Sequence, residues 1–487
     1  MTRMSKLISA VAIASAAALT LSSGSALWAQ VTDPGVRGGP AGAGTFQATL
    51  TQFEQESECP GQQTFVQTVG VPVGEVTNNN CAGSPYPVVI QSGGLGPAFN
   101  SNSCSSCHAQ PAIGGSSPPS NPLFGVYNLM GAKNGMPFFE SKTGPALVAR
   151  FPFQLNDLSL PDGFVHQLFT IAGRSDATAC PTLGQPNFAK ASTNKDLALR
   201  QPLPVFGDGY IEIIQNVDII NNLNANLTQK QALGIGGVAQ ITDDGSVSRF
   251  GWKAQWRAIL PAVGAEENIE LGLTNEMFPT ETNQNIKACA TINAVPEDAS
   301  NYQYWSTNQG AWNFDANSGR NAIFIRFLEQ PTPACAIGQD CSSCPGTGGC
   351  ANGYTQFNTV GCNLCHTVSF TTPAGSIPSM GHVTTNLLSD LVLHHMGPCL
   401  ADNVTQGSAQ GDMFRTPPLW NVGQRYFFMH DGRTTNIVTA IEDHSSIVTT
   451  CTGNSQYQAS EANAVVSAFN ALSLTNQQNL VNFLRSL

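Results

Sequence analysis

Charged side chains are scarce in this 487-residue chain, because Asp, Glu, Lys and Arg together make up only 11% of it. Its 21 Lys and Arg residues form no basic block and are outnumbered by 32 Asp and Glu residues, which gives a net charge of −11. Nucleic-acid binding depends on clustered positive charge, so the sequence argues against a nucleic-acid partner. The surface must be built largely from Asn, Gln, Ser, Thr and Gly.

Long apolar runs are missing too, since no stretch of about 18 uncharged apolar residues follows the first thirty residues. Residues 1–29 have the features of a signal peptide: Arg3 and Lys6 form a basic start, and Leu7–Leu21 is mostly apolar. This apolar stretch is short for a membrane span. We therefore expect a soluble protein in the periplasm or otherwise exported, with a membrane association only if the signal segment is retained as an anchor.

Two short motifs carry the strongest functional signal. Cys104-Ser105-Ser106-Cys107-His108 and Cys362-Asn363-Leu364-Cys365-His366 share the Cys-x-x-Cys-His pattern of c-type haem attachment. Two thiols at this spacing can add to the two vinyl groups of one porphyrin, and the adjoining His can reach the iron. A zinc knuckle or a disulfide beside an unrelated His is the alternative. We expect two covalently bound haem c groups, with His108 and His366 as iron ligands.

The remaining cysteines indicate disulfides. Of 14 cysteines, ten lie outside the motifs, at positions 59, 81, 180, 289, 335, 341, 344, 350, 399 and 451. An even number in an exported chain indicates up to five disulfides. Pairs Cys59–Cys81 and Cys399–Cys451 are preferred because each closes a local loop. The four cysteines within residues 335–350 have a second interpretation as a zinc site, although an oxidising compartment favours disulfides.

The fold class that we predict is mainly α with long irregular loops, minor β, and two cytochrome c-like haem domains packed together. The 47 Gly and 30 Pro residues account for the loops. After the signal peptide we expect an extended leader at 30–90, an N-terminal c-type haem domain at 91–334, a Cys/Gly-rich linker at 335–352 and a C-terminal cytochrome c domain at 353–487. Thr475 and Gln478 form a capping-box pattern that predicts a helix at the C-terminus.

The sixth ligand of each iron decides the chemistry of a dihaem protein. A strong ligand such as His or Met makes an electron carrier, while an open position lets peroxide or oxygen bind. The histidines outside the motifs are at positions 166, 382, 394, 395, 430 and 444. For each of them a hydrogen-bonding or surface role competes with ligation.

Several further runs resemble the bacterial dihaem cytochrome c peroxidase superfamily, and most closely its dihaem oxidoreductase branch, sometimes labelled thiol oxidoreductase-like. The resemblance covers about residues 90–487. It is carried by both haem motifs and by the runs Phe414–Gly423, Tyr426–Arg433, Arg249–Ala254, Leu271–Asn275 and Phe483–Leu487. The chain departs from the branch at Leu393-His394-His395-Met396-Gly397, where His395 replaces a carboxylate.

The resemblance implies a ligand for the C-terminal haem. In the superfamily the distal ligand follows the His of a His-x-Gly motif by 14 residues, and counting from His430 reaches His444. This implies a low-spin haem held by His366 and His444. Tyr426, Met429 and His430 itself are rivals, and the family pattern suggests a hydrogen-bonding role for His430.

The resemblance also implies an acid–base residue beside the N-terminal haem, where the peroxidases use a distal Glu. Glu212 is the candidate for this catalytic role, with an ordinary surface or capping carboxylate as the alternative. Gln215 is a neutral neighbour in the same segment. His166 is the other candidate, as a distal base or as an iron ligand. Trp252 is either a relay between the haems or a core residue.

The function that these features predict is an exported dihaem oxidoreductase of peroxidase type. Electrons would come from a small redox protein, a cytochrome c or a cupredoxin, enter at the C-terminal haem and reduce hydrogen peroxide at the N-terminal haem. One alternative is a dihaem electron carrier without its own substrate, in which His166 would be the sixth ligand. Another is oxygen-dependent oxidation of a larger substrate at the open haem. Calcium is a further candidate cofactor.

Overall fold

The structure of the protein, a computed structural model, describes residues 30–69, 74–78, 88–92, 94–129, 135–170, 184–275, 277–281, 317–346, 348–375, 377–447 and 456–487. The predicted signal peptide at 1–29 lies outside the described residues, as do Cys81, Cys180, Cys289 and Cys451. Residues Val31–Leu487 form one compact unit. Within the described residues, no helix has both the length and the apolar character needed to cross a membrane.

Helices supply most of the regular structure, which confirms the prediction of a mainly α chain with minor β. The α-helices are Gln52–Val66, Cys104–Cys107, Leu123–Leu129, Phe188–Thr193, Asp208–Ile213, Asn216–Leu223, Leu227–Ala232, Ile259–Glu266, Asn317–Phe327, Cys350–Val360, Ile437–Asp443, Asn463–Ala471 and Leu474–Ser486. Short 3₁₀ turns occur at Cys362–Leu364, Pro378–Met380 and Val422–Gln424, and a π-helix spans Glu267–Leu271.

The strands are short and pair antiparallel. Two-stranded pairs join Gly74–Asn78 with Val88–Ser92, Ala98–Phe99 with Phe169–Thr170, Phe153–Gln154 with Asp157–Pro161, Gln240–Ile241 with Val247–Ser248, Phe370–Thr371 with Thr384–Thr385, and Leu393–His395 with Met413–Arg415. A three-stranded sheet has the order Val165–His166, Val148–Arg150, Ala198–Arg200. These strands fasten loops to the helical core rather than forming a layer.

The segment predicted as an extended leader contains a regular helix, Gln52–Val66. It begins with a capping box, in which the Thr51 side chain accepts from the Glu54 backbone and the Glu54 carboxylate accepts from the Thr51 backbone. The helix packs against Asn317–Phe327, where Phe65 lies 4.6 Å from Phe324 between ring centroids. Sequence inspection missed it because Pro60 interrupts its pattern and its stability comes from this tertiary contact.

The predicted C-terminal helix is present as Leu474–Ser486, but its cap differs from the prediction. Ser473, not Thr475, is the N-cap and accepts from the Asn476 backbone. The helix crosses Cys350–Val360 at close range, since a Cβ added to Gly353 would lie 1.9 Å from the Asn479 carbonyl oxygen. Only glycine allows this approach, which packs the helix that leads into the second haem motif against the C-terminal helix.

A continuous hydrophobic core runs across the two predicted haem domains. One cluster of buried residues combines Phe206 and Phe324 from the N-terminal part with Leu387, Leu391 and Trp420 from the C-terminal part. The two parts therefore share apolar surface that is out of contact with water. The predicted boundaries at 334 and 353 stay predictions.

The Cys/Gly-rich segment contains two disulfides, Cys335–Cys341 and Cys344–Cys350. A sulfur in a disulfide is not available as a zinc ligand, so the zinc interpretation of this cluster does not fit the structure. Cys59 and Cys399 are disulfide-bonded as well. The partners predicted for them, Cys81 and Cys451, lie outside the described residues.

Candidate dihaem site

The first motif lies on a single helical turn, Cys104–Cys107, with His108 directly after it. The Nδ1 atom of His108 lies 3.1 Å from the carbonyl oxygen of Gly115. Since a carbonyl oxygen can only accept, Nδ1 carries the proton and Nε2 is left with its lone pair. This fixes the tautomer and the ring orientation that an iron-ligating histidine requires.

The second motif repeats this arrangement in a different local structure. A 3₁₀ turn, Cys362–Leu364, follows Gly361, and His366 donates through Nδ1 to the Leu388 carbonyl oxygen at 2.9 Å. Burial, together with the nearby His444, lowers the pKa of His366 to about 4, against the Leu388 hydrogen bond. His366 is therefore neutral at physiological pH, the form that binds a metal.

His444 reaches the cavity beside His366 from another helix. It follows Ile437–Asp443, whose N-cap is Asn436, and its Nδ1 donates to the Ala440 carbonyl oxygen at 2.6 Å. Burial lowers the pKa of His444. His366 and His444 both line one cavity, which we call the C-terminal cavity. The structure thus brings together the two residues expected to hold the C-terminal haem.

The rivals for that ligand position are arranged differently. Met429 and His430 line the C-terminal cavity, whereas Tyr426 does not. His430 is stacked on Phe414 with 4.4 Å between ring centroids. This stacking occupies one face of the imidazole. It agrees with the expectation that His430 is not itself the iron ligand.

The four motif cysteines are the free cysteines among the described residues. Burial raises the pKa of Cys107 and Cys362 to about 12, so the groups are thiols in this structure. The motif thiols are unpaired in this structure, whereas Cys335 and Cys341 form a disulfide. The unpaired thiols fit covalent haem attachment and argue against the disulfide interpretation.

The C-terminal cavity has the apolar lining that a porphyrin needs. Its walls include the side chains of Ile235, Phe357, Leu400, Leu419, Val422, Phe427, Phe428, Ile437, Ile441, Val465, Val466, Phe469, Leu480 and Leu484. Polar groups are few and lie at defined points. The apolar lining and the presence of both histidines fit a haem whose iron would be held by His366 and His444.

The cavity around Cys104, Cys107 and His108, which we call the N-terminal cavity, is more polar. Its lining includes Glu266, Glu267 and Glu270 together with Asn100, Arg150, Arg200, Asp208, Gln255, Asn321 and Arg415. Among the described lining residues, His108 is the one histidine and no methionine is present. The lining thus offers a haem one His ligand and buried acids, in contrast to the C-terminal cavity.

The three glutamates stand where the helix Ile259–Glu266 passes into the π-helix Glu267–Leu271. π-Helical turns are rare and frequently occur at functional sites, because the extra residue redirects side chains. The backbone of Asn100 donates to the Glu270 carbonyl oxygen at 2.8 Å, which fastens this turn to the approach to the first haem motif. The turn therefore presents its carboxyl groups to the N-terminal cavity.

Burial raises the pKa of both Glu267 and Glu270 to about 8. Asn321 donates to the Glu267 Oε1 atom at 2.8 Å and opposes this shift only in part. The Glu270 shift is reinforced by Glu266. At neutral pH these carboxyl groups hold protons and can release them within an accessible pH range, as acid–base residues must.

Glu212, the sequence-predicted catalytic residue, does not line either cavity. Its Oε2 atom pairs with Arg326 at 2.7 Å, and its Oε1 accepts from the Ile259 backbone at 2.8 Å. The carboxylate therefore caps the helix that leads to the glutamate turn. An acid–base role for Glu212 does not fit this geometry, since both oxygens are occupied and the side chain does not line the cavity. Gln215 also lies outside the cavity lining.

His166 likewise does not line the N-terminal cavity. It is stacked on Phe151 with 3.9 Å between ring centroids, and its Nε2 lies 3.2 Å from the Asp162 carboxylate. Its neighbour Val165 faces the cavity instead. Alternation along the strand Val165–His166 explains why, since successive side chains point to opposite faces.

Trp252 lines both cavities, as do residues 201–204 and Arg415. The indole Nε1 donates to the Gln201 carbonyl oxygen at 2.9 Å. The backbone of Gln201 in turn donates to the His430 carbonyl oxygen at 2.8 Å. Trp252 thus forms part of the wall between the two cavities.

The segment at which the chain departs from the branch pattern is also accounted for. His394 lines the C-terminal cavity, and its ring contacts Asp390 at 2.9 Å and Glu461 at 2.7 Å. His395 does not line the cavity and pairs with Asp412 at 2.8 Å. His395 is thus held outside the cavity lining by its contact with Asp412.

A family model described as "Di-haem oxidoreductase, putative peroxidase" matches residues 166–487. This is about two thirds of the chain, and the protein belongs to that family. The match begins after the first haem motif, so the motif at Cys104–His108 rests on its own spacing and on the cavity around it.

Solved structures add only distant similarities. Hydrazine synthase of Kuenenia stuttgartiensis is 16% identical with a TM-score of 0.21, and the match covers 35% of this chain and 55% of that one. A MauG-like protein associated with microbial copper homeostasis is 14% identical with a TM-score of 0.30, over 58% of this chain and 89% of that one. The chain thus spans about half the length of the hydrazine synthase chain. Among curated proteins, none matches.

Sequence inspection missed the glutamate turn, although a signal was present. The run Glu266-Glu267-Asn268-Ile269-Glu270 directly precedes the Leu271–Asn275 motif that carries part of the family resemblance. Three carboxylates in five residues, next to a family motif and in a chain poor in charge, could have identified it.

Proposed function

We propose that this protein is an exported dihaem peroxidase that reduces hydrogen peroxide to water in the N-terminal cavity with electrons received at the C-terminal cavity. The observation that carries the proposal is the difference between the two linings. The C-terminal cavity offers His366 and His444, whereas the described lining of the N-terminal cavity offers one histidine and four carboxyl side chains, Asp208, Glu266, Glu267 and Glu270. A doubly ligated haem suits electron entry, and a singly ligated haem leaves room for a substrate.

The residues that would hold the haem groups are Cys104, Cys107 and His108 in the N-terminal cavity, and Cys362, Cys365, His366 and His444 in the C-terminal cavity. When bound, the haem of the N-terminal cavity supplies the redox chemistry of peroxide reduction. The reaction consumes two electrons and two protons for each peroxide and yields two water molecules. The protein must therefore deliver protons into the N-terminal cavity.

Glu267 and Glu270 are the proposed proton donors and acceptors. Their raised pKa values keep a proton on the carboxyl group at neutral pH, and the Asn321 amide holds the Oε1 atom of Glu267. The other oxygen, Oε2, is then the position at which the proton is exchanged. General acid–base catalysis of this type typically contributes about 10²- to 10⁴-fold to the rate.

Electrons would pass from a small donor protein, a cytochrome c or a cupredoxin, to the C-terminal cavity and then across the wall that contains Trp252. Trp252 contributes an aromatic ring to this wall, and its Nε1 atom donates a hydrogen bond to the Gln201 carbonyl oxygen. These features support Trp252 as a relay rather than a simple core residue. The donor protein and the exported location remain part of the proposal.

The proposal is tested by optical and EPR spectra of the purified protein, combined with peroxide turnover. We expect one low-spin and one high-spin haem, the second of which responds to peroxide. The variants Glu267→Gln and Glu270→Gln should lower turnover by about 10² or more. Glu212→Gln is the matched control and should keep turnover, because its carboxylate lies outside the cavity. Two low-spin haems that do not change with peroxide would overturn the proposal and favour an electron carrier.

A further inference from the structure

Three arginines line the cavities without a carboxylate partner. Arg425 lines the C-terminal cavity, Arg150 lines the N-terminal cavity, and Arg415 lines both. Each is at most 8% exposed. Among the described residues, no carboxylate oxygen lies within 4.0 Å of any of these three guanidinium groups. Asp208 and Asp390 act on Arg415, and Glu266, Asp402 and Glu270 act on Arg150, only from beyond ion-pair distance. A buried guanidinium without a direct ion pair is unfavourable, so these groups are suited to bind an anion in the cavities.

The donors that remain free on these side chains support this conclusion. The Nε atoms of Arg150 and Arg425 are buried and have no hydrogen-bond partner among the described residues. Arg415 donates through Nε to the Gly251 carbonyl oxygen at 2.9 Å, and its two terminal nitrogens make no hydrogen bond in the described part of the chain. A guanidinium stays protonated at any physiological pH, so the charge cannot be removed by titration.

Arg200 provides an internal comparison. It also lines the N-terminal cavity, but it is paired with Asp402 through its Nε atom at 2.9 Å and its Nη2 atom at 2.6 Å. The protein thus pairs one buried arginine of this cavity internally and leaves three others facing the cavities. The contrast indicates that the guanidinium groups of Arg150, Arg415 and Arg425 are available to bind a ligand in the cavities.

The position of Arg415 is fixed by the same segment that carries Trp252. The Arg415 backbone donates to the Trp252 carbonyl oxygen at 2.8 Å, and its side chain bonds to Gly251. Its own strand, Met413–Arg415, pairs with Leu393–His395. These contacts hold the guanidinium at the wall between the cavities and leave it little freedom to turn away.

We propose that Arg415 binds carboxylates of both haem groups, so that one guanidinium links the propionates of the N-terminal haem to those of the C-terminal haem. Each haem c carries two propionate groups, and the planar fork of arginine binds carboxylates with two parallel hydrogen bonds. Arg425 completes the binding on the C-terminal side and Arg150 completes it on the N-terminal side. The inference rests on the two-haem part of the proposed function and not on peroxide as the substrate.

A shared guanidinium has an effect on reduction potential that a structural role would not have. Positive charge near a porphyrin favours the ferrous state, which carries one positive charge less than the ferric state, and therefore raises the potential. Removing the Arg415 charge should lower the potentials of both haems. Removing Arg425 should lower only the C-terminal potential, and removing Arg150 only the N-terminal one.

The test is a spectroelectrochemical titration of the intact protein after a pyridine haemochrome assay has established two haems per chain. The variants are Arg415→Gln, Arg425→Gln and Arg150→Gln, with Arg257→Gln as the control. Arg257 pairs with Asp244 at the surface and lines neither cavity. We expect both potentials to fall in the first variant, one in each of the next two, and none in the control.

A fall in only one potential, or in neither, for Arg415→Gln would overturn the inference. Should that variant fail to bind haem, Arg415→Lys is decisive, because it keeps the charge and loses the fork. It should lower both potentials by a smaller amount, and a change confined to one haem would again overturn the proposal. The titration resolves one reduction potential for each haem whether or not the protein reduces peroxide. A failure of the peroxidase proposal can therefore be told apart from a failure of the Arg415 proposal.

Discussion

The indole of Trp252 meets the imidazole of His430 edge to face, with 6.3 Å between ring centroids and 76° between ring planes. His430 belongs to the C-terminal cavity, while Trp252 belongs to both cavities. The indole therefore connects a ring beside one proposed haem to the lining of the other. This contact supports the proposal that Trp252 relays electrons between the two cavities.

Trp252→Phe should slow electron transfer between the haems. Phenylalanine keeps an aromatic ring but loses the hydrogen bond to Gln201 and part of the ring contact. We expect a loss of about tenfold in peroxide turnover, equivalent to about 1.4 kcal/mol in the barrier. Stopped-flow measurement of the C-terminal haem being reoxidised by peroxide would give the rate directly.

Trp256→Phe is the control for this experiment, because Trp256 lines the N-terminal cavity and not the C-terminal one. Its ring is in edge contact with Phe278, 5.9 Å away between centroids. The rate of reoxidation should stay near that of the unmodified protein. Equal losses in the two variants would argue that Trp252 acts through packing alone.

His444→Ala should convert the C-terminal haem from low-spin to high-spin. The imidazole is the second histidine of that cavity, and alanine cannot replace it as a ligand. EPR of the oxidised protein should then show two high-spin haems in place of one. Met429→Leu is the matched comparison, since Met429 lines the same cavity and is a rival ligand. If the low-spin signal disappears in Met429→Leu and persists in His444→Ala, the assignment is reversed.

The haem motifs could be predicted from sequence because their chemistry is local. Cys362, Cys365 and His366 lie within five residues, so the spacing of the three groups is visible in the sequence and does not depend on the rest of the fold. The C-terminal helix could be predicted for the same reason, since its apolar face recurs every three to four residues. Only the N-cap was predicted wrongly. Ser473 and Thr475 are both residue types that cap helices, and the structure has Ser473 in this position.

The carboxyl groups that line the N-terminal cavity could not be predicted in the same way. Glu212 is held by Arg326, with which it pairs across 114 residues of chain, whereas Glu267 lines the cavity and is held by Asn321. A family pattern aligned Glu212 with the segment near the first haem, but the direction of its side chain is set by this long-range ion pair. The strand that turns His166 away from the cavity is only two residues long and is held by pairing with Ala149 and Arg150.

The cysteines between residues 335 and 350 should respond to reduction and not to chelation. They form Cys335–Cys341 and Cys344–Cys350, so EDTA supplied as its calcium complex, which removes zinc but not calcium, should leave the melting temperature unchanged. A Cys335→Ser/Cys341→Ser double variant should be less stable by about 2 kcal/mol, the loop-entropy value for a short disulfide loop. Urea unfolding would measure this loss. Destabilisation by EDTA, together with bound zinc in elemental analysis, would restore the zinc interpretation.

The stability of the protein should depend on pH through Glu267. Burial raises the pKa of this carboxyl group to about 8 from an ordinary value of 4.5. Between these two values the folded protein keeps a proton that the unfolded chain has released, so the free energy of unfolding falls as pH rises from about 5 to about 8.

Glu267→Gln removes this dependence, because glutamine has no proton to lose and can keep a hydrogen bond with Asn321 after an amide flip. The melting temperature of the variant, relative to that of the unmodified protein, should therefore rise steadily when both are measured in the haem-loaded form at pH 5, 6, 7 and 8. For Glu267→Ala the melting temperature relative to the unmodified protein should rise with pH in the same way. It should be lower than that of Glu267→Gln at every pH, since alanine also leaves a cavity. A difference that stays constant with pH would mean that Glu267 titrates near its ordinary value, and its role as the proton-holding group of the N-terminal cavity would then be untenable.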